Sequence, residues 1–243
     1  MEYLSPSRIH LYEQCGLSFN FKYIQVVGEE DNVTTWYADY GKLHHGIYEG
    51  IAKQEIVSLD QAIRKYNEGF PNCNIPDNFR GTYYKQGLQG IEKKFNDLQK
   101  LNIVDAEKEF KVSIDFAMPP LYGFIDLVYR DEQGRLIVRD YKTSKVYDKT
   151  SLNKQYQPYV YPIACKTVYG EYPFKFEFDF VRFSETKEFI ITEKFIKMGE
   201  IKIKGIWNKI KSGKFPANYS PFFCENFCAY RSICPLYMKK KGF

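Results

Sequence analysis

Gly123-Phe124-Ile125-Asp126-Leu127-Val128-Tyr129-Arg130, the turn sequence Asp131-Glu132-Gln133-Gly134, and Arg135-Leu136-Ile137-Val138-Arg139-Asp140-Tyr141-Lys142-Thr143 read as two strands of a meander. Asp126 stands inside an apolar strand, where an isolated carboxylate is costly to bury. Strand alternation puts Asp140 and Lys142 on one face with Tyr141 opposite. Pairing about the 131–134 turn would bring Asp126 and Asp140 close enough to share a cation. Two carboxylates and an ammonium outline a hydrolytic site, in which the acids hold a divalent ion and the lysine orients or helps deprotonate water. Taken alone, Asp-x-Lys describes a solvent-facing ion pair equally well.

Working upstream, EKEFKVSIDF from Glu107 predicts a preceding strand, and four helices come before it. Ser5-Pro6 starts a helix to about Phe21 that carries Cys15 near its end. Others span Trp36 to Glu55, begin at Ser58 with the Ser58/Gln61 spacing of a capping box, and run from Asn78 to Leu101. Downstream, Thr150 or Ser151 caps a helix through Lys166. FKFEFDFVRF alternates like a half-buried strand paired across SETK with EFIITEKF, and Ile203, Ile206, Trp207 and Ile210 stripe a final helix whose lysines face outward. No repeat or linker interrupts the chain. The expectation is one α/β (α+β) domain over 1–243 with a central mixed sheet: a helical part to about 104, a core of about 105–195, and a C-terminal helix and cysteine cluster over about 196–243.

The chain has 243 residues, 44% hydrophobic, enough for a substantial core, and its net charge of +5 permits a polyanionic partner without demanding one. Neither an export signal nor a bilayer-length apolar run is present, so the reading is a soluble, cytoplasmic protein of a prokaryote or phage with no membrane role. In that setting six cysteines point to metal before disulfides. Cys224, Cys228 and Cys234 are densely spaced, Cys15 is the remote fourth, and packing accounts for Cys73 and Cys165.

Five ordered motifs extend the picture: Ser5-Pro6-Ser7-Arg8-Ile9, Gly41-Lys42-Leu43-His44-His45, Gly123-Phe124-Ile125-Asp126, Asp140-Tyr141-Lys142-Thr143 and Gln155-Tyr156-Gln157-Pro158-Tyr159. In this order they resemble the PD-(D/E)XK nuclease superfamily, in particular the branch of RecB-type nuclease domains and CRISPR-associated adaptation nucleases. The resemblance covers nearly the whole chain and implies a restriction-endonuclease-like core. It also implies that His45, Asp126, Asp140 and the Tyr141 backbone carbonyl are metal ligands, Lys142 is the catalytic lysine, and Gln155 and Tyr159 organise the site or contact DNA. His44 and Gln157 are competitors in neighbouring registers, and His45 is favoured by its distance from Gly41. Mg²⁺ is the expected ion, with Mn²⁺ suited by an imidazole beside carboxylates.

Members of that branch hold a [4Fe-4S] cluster by one cysteine before the nuclease motifs and three after them. The likeness assigns Cys15, Cys224, Cys228 and Cys234 to such a cluster joining the two ends, with zinc as the alternative. The spacing between Cys224 and Cys228 is one residue longer than the usual form. The implied activity is a metal-dependent deoxyribonuclease, an exonuclease or end-processing enzyme acting on single-stranded DNA or free ends in recombination, repair or CRISPR adaptation, with proteins of those systems as partners. The alternatives are a catalytically silent iron-sulfur or zinc DNA-binding subunit of a helicase-nuclease-like complex, and an iron-sulfur electron carrier. The 21 tyrosines and 20 phenylalanines offer stacking surface beyond the core. Lys93-Lys94, the 197–214 helix and the Lys239-Lys240-Lys241 tail could follow phosphates.

Overall fold

The computed structural model describes residues 1–29 and 33–242. Ser5 caps α1 (Pro6–Gln14) by accepting from the Arg8 N–H. The single helix expected to about Phe21 is in fact two. Cys15 is extended, and α2 (Gly16–Tyr23) starts after it, at a point where Pro216 crosses so closely that a Cβ on Gly16 would lie 2.8 Å from its ring. Next come α3 (Trp36–Ala52), α4 (Leu59–Gly69) and α5 (Asp77–Leu98). Ser58 caps α4 by accepting from Gln61 N–H, and Gln61 Oε1 accepts from Val57 N–H, one residue earlier than a standard capping box. Tyr40 and Tyr66 reach the Tyr83 carbonyl of α5 at 3.0 and 3.3 Å, an approach that any Cβ at Gly87 would obstruct.

The rest of the chain runs β1 (Asn102–Val112), β2 (Leu121–Arg130), β3 (Leu136–Lys142), α6 (Lys149–Asn153), α7 (Gln157–Tyr169), β4 (Lys175–Phe180), β5 (Glu185–Ile190), α8 (Glu193–Lys211), α9 (Pro221–Asn226) and α10 (Pro235–Lys241). The five strands form one mixed sheet in sequence order, antiparallel except for β3 and β4. Residues from α1, α2, α7 and α8 cover one face, and residues from α3, α4 and α5 the other. A small third cluster, around Cys228, Ala229 and Tyr230, packs on Phe21. Among the described residues no helix is long and apolar enough to cross a membrane.

Three further expectations change. The helix expected over 150–166 is split into α6 and α7. Asp148 caps α6, and Pro158 has no N–H to offer the Lys154 carbonyl, so it sits in the first turn of α7, where none is needed. β4 is buried on both faces rather than half-buried: Phe176, Phe178 and Phe180 fill one core while Glu177 and Asp179 are 3% and 1% exposed on the other side. The turn before β5 comes earlier than SETK, at residues 181–184, so that Thr186 and Lys187 pair within the strand.

The buried charges of β4 are neutralised locally. Lys94 of α5 lies 2.5 Å from Asp179, Arg139 donates to Glu177 at 2.8 Å, and Lys175 lies 2.7 Å from Glu177. Lys94 is therefore a core residue and is not available to phosphates. Removing one member of such a pair strands the other charge. Asp179→Ala is expected to lower unfolding free energy by about 3 kcal/mol or more, while Lys94→Met/Asp179→Leu recovers most of that loss, as read by urea titration.

Candidate active site

The β2–β3 ladder stops where the carboxylates begin. Leu127 pairs with Arg139, but one step further the Tyr141 N–H, instead of meeting a strand carbonyl, donates to Asp126 Oδ2 at 2.7 Å. On the other side of β2, Lys108 pairs with Ile125 and Ala106 with Leu127, so Glu107 stands opposite Asp126. Glu107 has φ +50°, a left-handed conformation inside a strand that costs on the order of 1 kcal/mol or more. Both strands change the phase of their alternation here. Ile125 and Phe110 belong to the core on the α7 side, whereas Leu127 and Ala106 belong to the core on the α3 side.

His45 comes in from α3. Its Nε2 lies 3.1 Å from the Tyr141 carbonyl oxygen, and its Nδ1 lies 3.4 Å from Asp126 Oδ2 and 3.5 Å from Glu107 Oε1. One donor atom each from His45, Glu107 and Asp126 fall within 4.8 Å of one another. Beside them, Lys142 Nζ is 2.6 Å from Asp140 Oδ2. Burial, then the neighbouring Asp140, raises the Asp126 carboxyl. Burial would depress the His45 imidazole, but Asp126, Glu107 and Asp140 outweigh it and raise it to about 9. Lys142 is likewise desolvated, yet Asp140 holds it above the ordinary lysine range. Three acids facing one histidine and one lysine make a strongly cation-attracting group whose oxygen and nitrogen donors suit Mg²⁺ or Mn²⁺.

The two adjacent histidines have separate environments. His44 is fully buried with Nδ1 2.9 Å from the Tyr48 hydroxyl, and burial first, then His45, lowers it to about 3. The structure thus brings His45, Asp126, Asp140, Lys142 and the Tyr141 carbonyl together. Gln155 and Tyr159 are not part of the group. Gln155 Nε2 donates to the Ser151 carbonyl at 3.1 Å in the turn before α7, and Tyr159 stacks on Phe195 with ring centroids 5.0 Å apart. Tyr161, two residues along, faces the sheet instead: its ring meets Phe110 of β1 at 5.8 Å and Phe176 of β4 at 6.0 Å, and its acidity is suppressed, first by burial and then by the charge of Asp140. Two residues along a helix reverse the direction of a side chain, so Gln157 and Tyr161 mark the register that faces the sheet. Glu107 was missed as well. Its strand carries Glu107 and Glu109, and only the positive φ decides which one turns toward Asp126.

Cys15, Cys224, Cys228 and Cys234 line one cavity together with Ser18, Phe21 and Tyr230. Burial raises the Cys224 and Cys228 thiols, and each also feels Cys15. Cys73 and Cys165 are buried elsewhere, in the helical face and in α7.

A family model described as the PD-(D/E)XK nuclease superfamily matches residues 3–235. No curated protein matches the chain. Among solved structures, one described as the crystal structure of SSO0001 is 15% identical, with 97% of this chain and 87% of that chain covered and a TM-score of 0.39. The match over nearly all of the sequence is sufficient: the chain belongs to the PD-(D/E)XK nuclease superfamily.

Proposed function

We propose that this protein is a metal-dependent deoxyribonuclease of the RecB-type branch that processes DNA ends or single strands. The observation that carries the reading is the convergence of His45, Glu107 and Asp126 donor atoms beside the Asp140–Lys142 pair. His45, Glu107, Asp126, Asp140 and the Tyr141 carbonyl would hold a divalent cation, which supplies charge stabilisation at the scissile phosphate and lowers the pKa of an attacking water. Lys142 keeps its proton and places a positive charge next to Asp140, where it can orient that water and the phosphate. Asp126 has a second task, tying Tyr141 N–H so that the Tyr141 carbonyl stays aimed at His45. End-labelled linear DNA incubated with Mg²⁺ or Mn²⁺ should be degraded, and chelation should stop it. Covalently closed circles nicked as fast as linear DNA is degraded would replace the end-directed reading with an endonuclease.

The four cysteines are proposed to carry a [4Fe-4S] cluster. In support, all four line one cavity. Such a centre would tie the α1–α2 junction to the segment after α8, and its binding energy would add to folding.

Asp126→Asn, Asp140→Asn and Lys142→Ala should each reduce cleavage by at least a hundredfold, with the folded state retained by circular dichroism even where Lys142→Ala, which leaves Asp140 without its partner, melts earlier. A fully active Lys142→Ala protein refutes the site. His45→Ala should raise the Mn²⁺ concentration for half-maximal activity at least tenfold. His44→Ala should instead lower the melting temperature and leave the metal requirement in place, and both follow from metal titration paired with calorimetry. Anaerobically purified protein should be brown, with about four irons per chain. Cys73→Ala and Cys165→Ala should keep the iron and any of the four cavity cysteines changed to Ala should lose it. Stoichiometric zinc in a colourless protein overturns the cluster.

A further inference from the structure

An aromatic ridge runs from the cysteine lobe to the N-terminal turn of α3, two turns from His45. On α3, Tyr37, Gly41 and His45 recur every fourth residue and share one face, with Tyr37 ~12 Å along the axis from His45. Ala38, Gly41, Lys42, Gly46 and Glu49 line a shallow cleft on that face, together with His45 and Glu107. At its far end the Tyr37 ring stacks on Trp36 at 3.6 Å and meets Phe227 at 5.6 Å. Phe227 in turn meets Phe222 at 5.4 Å. Core packing explains Trp36, but Phe222 is 64% exposed and gains nothing by standing in water.

The same ridge reaches the catalytic strand from a second side. Trp36 meets Tyr83 at 5.0 Å, and the Arg182 guanidinium lies 3.4 Å over the Tyr83 ring while donating to the Thr143 carbonyl, next to Lys142. Lys42 is exposed on the cleft and supplies the ammonium group of its lining, while Glu49 beside it is paired with Lys53.

We infer that this face of α3 is the track of an unpaired DNA strand, its bases stacking on Tyr37, Phe227 and Phe222 and its backbone passing Lys42 to reach the His45–Glu107 end. The inference rests on the nuclease reading above and adds to it a path and a reason for strand preference. Flat aromatic faces accept any base but need that base's own face free, which a paired and stacked duplex does not offer. With stacked bases advancing ~3.4 Å per nucleotide, the ~12 Å from Tyr37 to His45 corresponds to about three or four unpaired nucleotides between the Tyr37 ring and the cut.

The test compares wild type, Tyr37→Phe, Phe222→Ala and Tyr37→Ala/Phe222→Ala on three labelled probes: an unpaired 20-mer, the same length of abasic deoxyribose phosphate, and a blunt duplex. Cleavage in Mn²⁺ and binding by anisotropy in Lys142→Ala backgrounds are read together. The double variant should raise KM and Kd for the unpaired 20-mer roughly tenfold with kcat little changed, Phe222→Ala should show part of this effect, and Tyr37→Phe should match wild type. The abasic strand should bind all four proteins alike and weakly. Unchanged affinity of the double variant for the 20-mer overturns the track, as does an equal loss on the duplex. A wild type that cleaves no probe refutes the nuclease reading instead, and the anisotropy comparison then still decides the track. If the double variant melts early, Phe222→Ala alone carries the comparison, because that ring is mostly in water.

Discussion

A carboxylate taken out of water must find a cation or a proton, and the central strands of this sheet place carboxylates on both of its faces. On the α5 side the account is closed within the protein: Lys94, Arg139 and Lys175 answer Glu177 and Asp179. On the α7 side Asp140 meets Lys142, and at the sheet edge Glu107 and Asp126 meet His45 of α3; among the described residues these are their ion-pair partners. One face has a balanced set of charges that fixes the packing of a helix on the sheet. The other holds an excess of negative charge that an added cation relieves, and the nuclease chemistry belongs to that imbalance.

His44 and His45 show how completely surroundings outweigh residue type. They are neighbours on one helix, yet one is lowered to about 3 by burial among tyrosines and the other is raised to about 9 by carboxylates. The 100° step between successive helix residues sends one ring into the core and the other to the sheet edge.

Much of this was legible in the chain. Asp126 in an apolar strand and the Asp140–Lys142 alternation located the carboxylates, because period two is a local property, and the mixed sheet followed from the order of elements. Helix breaks at Cys15 and ahead of Pro158 were less legible, the first because it depends on Pro216, two hundred residues away. Reading β4 as half-buried failed because alternating charge ordinarily means water, and Lys94 lies on a helix that no local pattern links to β4. Glu107 was hidden by a backbone rotation, and the choice between Gln155–Tyr159 and Gln157–Tyr161 turned on where α7 begins.

The Tyr141 peptide unit carries a consequence for how this centre can change over time. Its N–H and C=O hold Asp126 and His45, while its side chain points into the opposite core among Tyr48 and its neighbours. Two contacts of the candidate site therefore belong to main-chain atoms that substitution cannot remove, except through proline, which has no N–H. Position 141 is free to drift among side chains that fill the same volume, constrained by packing alone, while the chemistry it supports stays fixed.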